Sequence, residues 1–213
     1  PRCTDLDSCS HSRRPTSQRM MDVSRETELL EAYAALLRKW NPAINLIAPK
    51  TVAQIESRHI ADARQLSQIS DKAQGNWTDF GSGGGLPGIV VAISRPDLAV
   101  ELVESDQRKA AFLRNVIRDL SLSNAKVLCS RIEALDRLEA ANISARALAP
   151  LPQLMAYVVQ HLASDGTAWL MKGRNWQAEV AEARKLWTFD LVSHPSSTDP
   201  DAAILEITGI RHV

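Results

Sequence analysis

The sequence has no excess of charge of either sign, because 25 lysines and arginines are balanced by 25 aspartates and glutamates. A basic field over the whole protein is therefore excluded, and any RNA-binding site has to be a local patch. No apolar stretch is long enough to cross a membrane, so we expect no membrane partner. Arg13-Arg14 is not followed by an apolar region, which argues against an export signal.

Cysteine is scarce, with three residues in a chain of 213. Cys3 and Cys9 lie near His11 in a polar N-terminal stretch. Three ligands on a mobile segment make a poor metal site, so we predict no metal. Cys129 closes a short apolar stretch and is predicted to be a reduced residue of the core. This cysteine usage favours a cytoplasmic protein.

The N-terminal third of the chain divides into two segments of different pattern. Residues 1–22 lack apolar periodicity and are predicted to be a disordered tail. Residues 23–75 are predicted to form a helical extension. Its first helix, Ser24–Trp40, begins with Ser24 as N-cap and is ended by Asn41-Pro42. A second helix begins with Thr51 as its cap and reaches about residue 70.

Glycine is also uncommon, with nine residues in the chain, yet four of them fall within five positions at 81, 83, 84 and 85. They follow a strand candidate, Trp77–Phe80, and precede a helical pattern from Leu86 to Ser94. A second strand candidate, Ala99–Val103, ends on Glu104. This arrangement is typical of a nucleotide-type cofactor site, because glycines let the backbone approach a ligand and the acid accepts hydrogen bonds from a ribose.

Two cofactor classes fit these glycines. The nicotinamide fingerprint G-x-G-x-x-G is present at Gly83, Gly85 and Gly88, but Asp79 would repel a pyrophosphate and Pro87 interrupts the phosphate turn. An acid directly before a glycine turn instead suits a cofactor with a cationic amino-acid end and no phosphate, such as S-adenosylmethionine (SAM). We therefore favour SAM over a dinucleotide, or over a turn that binds no ligand.

Strand and helix patterns alternate through residues 76–213, and two strand candidates lie at the end. This alternation predicts an α/β fold with a mostly parallel sheet covered by helices on both faces. With a final antiparallel strand, it matches the seven-stranded, Rossmann-like sheet of class I SAM-dependent methyltransferases. Arg146 and Lys172 lie at the predicted ends of the fourth and fifth strands, where they suit a target that is anionic or rich in hydrogen-bond acceptors. The later candidates are helix Asp106–Leu120, strand Ala125–Cys129, strand Ile143–Ala149, helix Leu151–Leu162, strand Thr167–Met171, helix Asn175–Trp187 and strands Phe189–Ser193 and Ala203–Thr208.

The run from Asp79 to Gly88, DFGSGGGLPG, resembles the D-x-G-[ST]-G-x-G-L-P-G signature of the small-subunit ribosomal RNA guanine-N7 methyltransferases (RsmG, also called GidB). Leu86-Pro87-Gly88 is the distinctive part. Ala63 replaces a serine that is usual in the family. Further matches stand in the family's order over about residues 24–210: Trp40-Asn41, Ile44-Asn45-Leu46, Arg58-His59-Ile60-Ala61-Asp62, Ser130-Arg131-Ile132-Glu133, Arg146-Ala147 and Lys172-Gly173.

The resemblance implies transfer of a methyl group from SAM to N7 of a guanine, position 527 in the 530 loop, of 16S rRNA in the small ribosomal subunit. We expect a monomer. A small-molecule methyltransferase and a non-catalytic protein that binds SAM and RNA are the alternatives.

The resemblance also assigns residues to these roles. Asp79 would hold the methionine end of SAM, Glu104 the ribose, and Ile132 with Glu133 the adenine. The cofactor-binding candidates are Asp79, Gly81, Ser82, Gly83, Gly85, Leu86, Glu104, Ser105, Ile132, Glu133 and Arg146. Arg146 is also the catalytic candidate. The RNA-binding candidates are Arg58, His59, Arg131 and Lys172.

Overall fold

A seven-stranded sheet forms the centre of the protein. A computed structural model describes residues 16–213, with side chains from Val23 onward. The strands are β1 (Asn76–Phe80), β2 (Ala99–Val103), β3 (Ala125–Leu128), β4 (Ala140–Arg146), β5 (Leu162–Lys172), β6 (Trp187–Pro195) and β7 (Ala203–His212). Their spatial order is β3-β2-β1-β4-β5-β7-β6. Strands β1 to β5 are parallel, and β7 lies antiparallel between β5 and β6. The predicted α/β fold is confirmed.

Helices cover both faces of this sheet. They are α1 (Thr16–Ile44), α2 (Ala61–Ile69), α3 (Gly88–Ser94), α4 (Gln107–Asp119), α5 (Leu151–His161) and α6 (Trp176–Ala183). Apolar residues of α1 to α4 share one core cluster with Trp169 and Met171, and those of α5 and α6 share another with Ala168 and Leu170. Because successive side chains of a strand point to opposite faces, these four residues of β5 place the two clusters on opposite sides of the sheet.

The parallel strands bring their carboxyl ends to one edge of the sheet. Glu104 follows β2, Arg146 ends β4 and Lys172 ends β5. β1 lies between β2 and β4 and is buried on both faces over residues 77–80. Asp79 is therefore a carboxylate inside a buried strand. Because charged side chains are rarely buried without a partner, this end of β1 is a candidate binding site.

The first helix differs from its predicted bounds. It begins at Thr16 rather than Ser24, and it continues through Asn41-Pro42 to Ile44. Pro42 lies in the last turn, where its missing N–H removes a single hydrogen bond. The Asn45 amide closes this turn by donating to the Asn41 carbonyl at 2.9 Å. The Asn41 side chain accepts from the Ile47 amide at 2.8 Å, which holds the following loop to the helix end.

The predicted second helix is three consecutive pieces. A 3-10 turn (Pro49–Gln54) and a π turn (Ile55–Ile60) precede α2. Thr51 does not cap an α-helix, because both its amide and its hydroxyl donate to the Ala48 carbonyl at 2.9 Å. Short π segments are common at functional sites, and this one carries two of the RNA-binding candidates, Arg58 and His59.

Cys129 is exposed, so its predicted place in the core is wrong. It follows β3, which pairs only with β2 and forms an edge of the sheet. A residue that leaves an edge strand has few neighbours to cover it.

Other element bounds differ by a few residues from their predictions. β5 begins at Leu162 and not Thr167, α6 ends at Ala183 and not Trp187, and α3 begins at Gly88. Of the predicted tail, residues 1–15 with Cys3, Cys9 and His11 lie outside the described residues, whereas residues 16–22 belong to α1. Within the described chain, no helix has the length and apolar character needed to span a bilayer.

Candidate functional site

The turn between β1 and α3 depends on glycine. Gly81, Gly83 and Gly85 have φ angles of +62°, +55° and +92°, a region in which residues with a Cβ are strained. The turn is fixed from both sides, because the Ser82 amide donates to the Val103 carbonyl at 3.0 Å and the Gly85 amide donates to Ser82 at 2.6 Å. The sequence therefore folds here into one tight, defined loop.

The three glycines face different surroundings. A Cβ on Gly81 would lie 2.6 Å from Leu148, and one on Gly85 would lie 2.5 Å from Ile89. A Cβ on Gly83 would meet nothing closer than the Gly81 carbonyl at 3.7 Å. Of the three predicted cofactor glycines, Gly83 is thus the one that faces open space, while the other two are required by packing.

Asp79 lies directly beneath this turn and is fully buried. Its Oδ1 accepts a hydrogen bond from the Ser144 hydroxyl at 2.6 Å, and Ser144 Oγ accepts from the Trp77 indole at 2.9 Å. Its Oδ2 is buried and accepts no hydrogen bond of normal geometry from the described residues, although it faces Gly88 at the start of α3. Burial raises the pKa of Asp79 to about 6, although the Ser144 and Ser82 hydroxyls and the Gly88 amide oppose the shift. A buried carboxylate oxygen without a partner is costly, which indicates a site for a cationic group.

Glu104 joins the glycine turn to the loop before α4. Its Oε2 accepts from the Gly83 amide and its Oε1 from the Asp106 amide, both at 2.8 Å. Each carboxylate oxygen can accept a second hydrogen bond, so both remain available to a hydroxyl-bearing ligand above Gly83.

Arg146 is held at the end of β4 by a chain of hydrogen bonds. Its Nη1 lies 3.1 Å from His59 Nδ1, and because a guanidinium only donates, Nδ1 is the acceptor. His59 Nε2 therefore carries the hydrogen and donates to the Thr51 hydroxyl at 2.8 Å, which donates in turn to Ala48. Burial and the charges of Arg146 and Arg58 lower the pKa of His59 to about 4, so this histidine is neutral at pH 7.

A cleft of about 650 Å³ opens beside Arg146. It lies between the ends of β4 and β5, the loop after α1, the π turn and the loop between β6 and β7. Of the predicted residues, Arg58, His59, Arg146 and Lys172 line it together. The glycine turn and Glu104 are not part of its wall. Arg146 lies in this wall, and the charge of Asp79 beneath the glycine turn opposes the lowering of the Arg146 pKa by burial.

Comparison with known proteins shows which family the chain belongs to. Residues 26–204 match the family GidB, described as rRNA small subunit methyltransferase G. The chain belongs to this family. It is 73% identical over 192 residues to the ribosomal RNA small subunit methyltransferase G of Paracoccus denitrificans strain Pd 1222, which covers 90% of this chain and 100% of that protein. A relative of the same name from Cereibacter sphaeroides strain ATCC 17025 is 50% identical over 198 residues, covering 91% of this chain and 95% of its own.

Solved structures agree on the fold. A methyltransferase from Geobacter sulfurreducens superposes with a TM-score of 0.57 at 11% identity, over 85% of this chain and 88% of its own. A SAM-dependent methyltransferase from Aquifex aeolicus gives 0.56 at 9% identity, over 76% and 98%. At these identities the likeness concerns the fold alone. The family resemblance and the methyltransferase fold expected from the sequence are confirmed.

Two of the cationic side chains that line the cleft already have partners within the protein. Lys172 Nζ donates to the Ala149 carbonyl at 2.7 Å and pairs with Glu179 at 2.6 Å. Arg58 is exposed and pairs with Asp199 at 3.5 Å. Arg131 is also exposed but lies before the 3-10 turn Ile132–Ala134, outside the cleft wall. RNA contact by these residues stays a prediction.

The remaining cofactor candidates contribute in different ways. The Ser82 side chain is buried and donates to the Asp79 carbonyl at 2.9 Å, and the Leu86 side chain belongs to the core. Ser105 is exposed beside Glu104. The Glu104 amide donates to the Leu128 carbonyl at 3.1 Å, which places the end of β2 beside the loop after β3.

That loop carries the two predicted adenine contacts. Ile132 has a buried side chain, and its carbonyl accepts from His161 Nε2 at 3.0 Å. The Glu133 carboxylate accepts from the Tyr157 hydroxyl at 2.8 Å. The loop is therefore anchored to α5 next to Glu104, while the adenine contact itself stays a prediction.

Three further residues shape the site without having been predicted to do so. Tyr33 of α1 donates to the Gly84 carbonyl at 2.6 Å and so fixes the glycine turn from outside the sheet. Ser144 lies opposite Asp79 in the register of β1 and β4. Asp62 of α2 lines the cleft and accepts hydrogen bonds from Ser196 and Thr198. In the sequence, Tyr33 is one of the periodic apolar residues of the first helix. No local signal distinguishes it from the residues that only pack in the core.

Proposed function

We propose that this protein transfers a methyl group from SAM to N7 of a guanine in 16S rRNA, at position 527 in the 530 loop. One observation carries the proposal. An open glycine turn lies between two acids, Asp79 and Glu104, and a cleft nearby contains Arg146, which is held in place by His59. Membership of the GidB family supports the reaction class and the rRNA substrate. We propose the cytoplasm as the place of the reaction because the substrate is rRNA, and a monomer as the active form because one chain supplies both turn and cleft.

The residues of the turn fit SAM. Asp79 offers an ammonium group a buried carboxylate whose Oδ2 accepts no hydrogen bond of normal geometry. Glu104 offers free acceptor positions to ribose hydroxyls, and the open side of Gly83 leaves room for the ligand between them. When bound, SAM supplies a methyl group on a positively charged sulfur. Asp79 beneath the turn would repel a pyrophosphate, and Pro87 offers it no N–H, which disfavours the dinucleotide alternative.

The protein's part in catalysis is mainly positioning. Guanine N7 carries a free lone pair and has no proton to lose, so no general base is required. The neutral His59 is already engaged on both ring nitrogens, which agrees with a reaction that needs none. Arg146 can donate to guanine O6 or to a phosphate at the mouth of the cleft, and thereby holds N7 in line with the methyl group.

Replacing Gly83 by valine is expected to abolish detectable SAM binding while the protein still folds. The side chain would project into the open side of the turn, and a β-branched residue at a φ of +55° is strained by about 1–2 kcal/mol. Isothermal titration calorimetry with SAM measures the loss, and circular dichroism checks the fold. Gly173→Val is the matched control, because a Cβ at Gly173 has no neighbour within 4 Å among the described residues and lies beyond β5. Normal SAM affinity in Gly83→Val would refute the assignment of the turn.

The proposed reaction is tested with small ribosomal subunits from a strain that lacks the modification. The protein is incubated with these subunits and methyl-labelled SAM, and the rRNA is digested and analysed by mass spectrometry. Label in 7-methylguanosine at the predicted position supports the proposal. SAM binding without any labelled RNA would favour the non-catalytic alternative, and label in cell metabolites alone would favour a small-molecule methyltransferase.

A further inference from the structure

An enzyme that methylates guanine N7 has to reject adenine, which carries the same N7 acceptor. The two purines differ at O6, at N1–H and at the 2-amino group. O6 is read by a hydrogen-bond donor such as arginine. N1–H and the 2-amino group are donors themselves, so a protein reads them with an acceptor, and a carboxylate accepts from both at once.

Three carboxylates line the cleft in the described part of the chain: Asp62, Glu179 and Asp199. Glu179 accepts from the Leu151 amide at 2.8 Å and is neutralised by Lys172. Asp199 accepts from the Asp201 amide and pairs with Arg58. Both are therefore engaged in holding the protein's own loops.

Asp62 differs from the other two acids because no basic side chain of the described residues forms an ion pair with it, whereas Lys172 pairs with Glu179 and Arg58 with Asp199. Its Oδ1 accepts from the Ser196 hydroxyl at 2.9 Å and from the Thr198 hydroxyl, so the carboxylate is held in one orientation. Its Oδ2 accepts no hydrogen bond from any described residue, and no described basic side chain lies within ion-pair distance of the carboxylate. A fixed carboxylate with one unused oxygen on a cleft wall is suited to bind a donor that enters the cleft.

The position of Arg146 in the same cleft suggests which donor this carboxylate binds. Arg146 and Asp62 line the same cleft, and the negative charges of Asp62 and of Asp79 beneath the glycine turn both raise the pKa of Arg146 against the effect of its burial. Around the guanine ring, N2 and N1–H are followed by O6 and then by N7. Resting on the proposed function, we propose that Asp62 accepts hydrogen bonds from N1–H and the 2-amino group of the target guanine, while Arg146 donates to O6 and N7 faces the glycine turn.

This contact also favours the reaction itself. Methylation leaves a positive charge on the purine ring, which makes N1–H a stronger donor than in unmodified guanine. A hydrogen bond to a carboxylate therefore strengthens as the charge develops, so Asp62 stabilises the transition state more than bound substrate. Asp62 is thus a specificity-determining residue as well as a bridge between α2 and the loop that carries Ser196.

The test compares guanosine with inosine, which keeps N7, O6 and N1–H but lacks the 2-amino group. Small subunits are reconstituted with 16S rRNA that carries either nucleoside at the methylated position, and kcat/KM is measured for the full-length protein and for Asp62→Asn. The asparagine keeps an acceptor for the two hydroxyls but replaces the free oxygen with an NH2 group. One lost hydrogen bond to a charged group predicts a decrease of about 10- to 100-fold for the wild type on inosine.

Asp62→Asn is expected to lose about 100-fold or more on guanosine, with nearly equal rates on the two nucleosides and unchanged SAM affinity. Asp199→Asn is the matched control and should keep the wild-type discrimination. A wild type that treats inosine and guanosine alike, or an Asp62→Asn enzyme that still discriminates, would overturn the inference. A wild type that methylates neither substrate would instead overturn the proposed function.

Should Asp62→Asn fail to fold, as shown by circular dichroism, the double variant Ser196→Ala with Thr198→Ala decides the question. It retains the carboxylate but releases its orientation, so we expect discrimination between the nucleosides to fall at least about fivefold. Undiminished discrimination in that variant would show that the orientation of Asp62 plays no part in reading the base.

Discussion

Arg146→Ala is expected to lower kcat/KM for small subunits by at least about 100-fold, because misplacing a reacting atom by an ångström already costs that much. The dissociation constant for SAM should change by less than about threefold. The residue ends β4 in the wall of the cleft, and its guanidinium is held by His59 rather than by the residues of the glycine turn. Methyl transfer measured with labelled SAM and binding measured by calorimetry separate the two effects.

Arg184→Ala is the control, because this arginine lies over Phe189 and does not line the cleft. It should leave both quantities unchanged. Full activity of Arg146→Ala would show that the residue is structural, and a parallel loss of SAM affinity would assign it to the cofactor instead of the target.

His59 should show an intermediate effect in the same assay. His59→Ala removes the acceptor that orients Arg146, whereas His59→Asn offers an amide oxygen near the position of Nδ1 and should recover part of the rate. Burial and two arginines lower the pKa of His59 to about 4. The rate of the wild type is therefore expected to lack any titration step near pH 6.5 that disappears in His59→Ala. Such a step would mean that His59 takes part as a titrating group.

Much of the fold follows from local pattern. Alternation of strand and helix signals predicts the sheet, because each pattern depends on neighbours within a few residues. The bounds fail where tertiary contacts outweigh local preference. Asn41 before Pro42 remains helical because its side chain also fixes the Ile47 amide, and Thr51 bonds to Ala48 instead of capping a helix.

For the site too, residues with a local sequence signal can be predicted, and those that depend on tertiary contacts cannot. Asp79, Glu104 and Arg146 can be found from sequence because each stands at the end of a recognisable strand, and parallel strands end together. Their partners cannot be found in that way. Ser144 lies 65 residues from Asp79, Gly84 lies 51 residues from Tyr33, and the Ser196 hydroxyl reaches Asp62 across 134 residues. Only the assembled sheet and its flanking helices bring these groups into contact, so no periodicity or spacing reveals them.

The buried charge of Asp79 predicts a pH dependence of SAM binding. The folded protein holds a proton on this carboxyl below about pH 6, and a bound ammonium group requires the ionised form. SAM affinity is therefore expected to fall by up to tenfold per pH unit as the pH drops below about 6. Calorimetric titrations between pH 5 and 8 measure this slope, and Asp79→Asn should bind SAM weakly at every pH without it. A wild type with constant affinity across this range would separate Asp79 from the cofactor's cationic end.

The same carboxyl makes the stability of the protein without SAM depend on pH. The pKa of Asp79 is raised from 3.8 to about 6 on folding, so between these values the folded state binds a proton that the unfolded state has released. Stability conferred at low pH is therefore lost as the pH rises from 3.8 to 6, by about 3 kcal/mol in total. Denaturant titration measures the free energy of unfolding of the wild type and of Asp79→Asn at each pH. The wild-type value minus the Asp79→Asn value should decrease across this window. Taking the difference removes the contributions of the other titrating groups. Saturating SAM should abolish the decrease by giving the ionised carboxylate its partner, and a decrease that persists with bound SAM would place the ammonium group elsewhere.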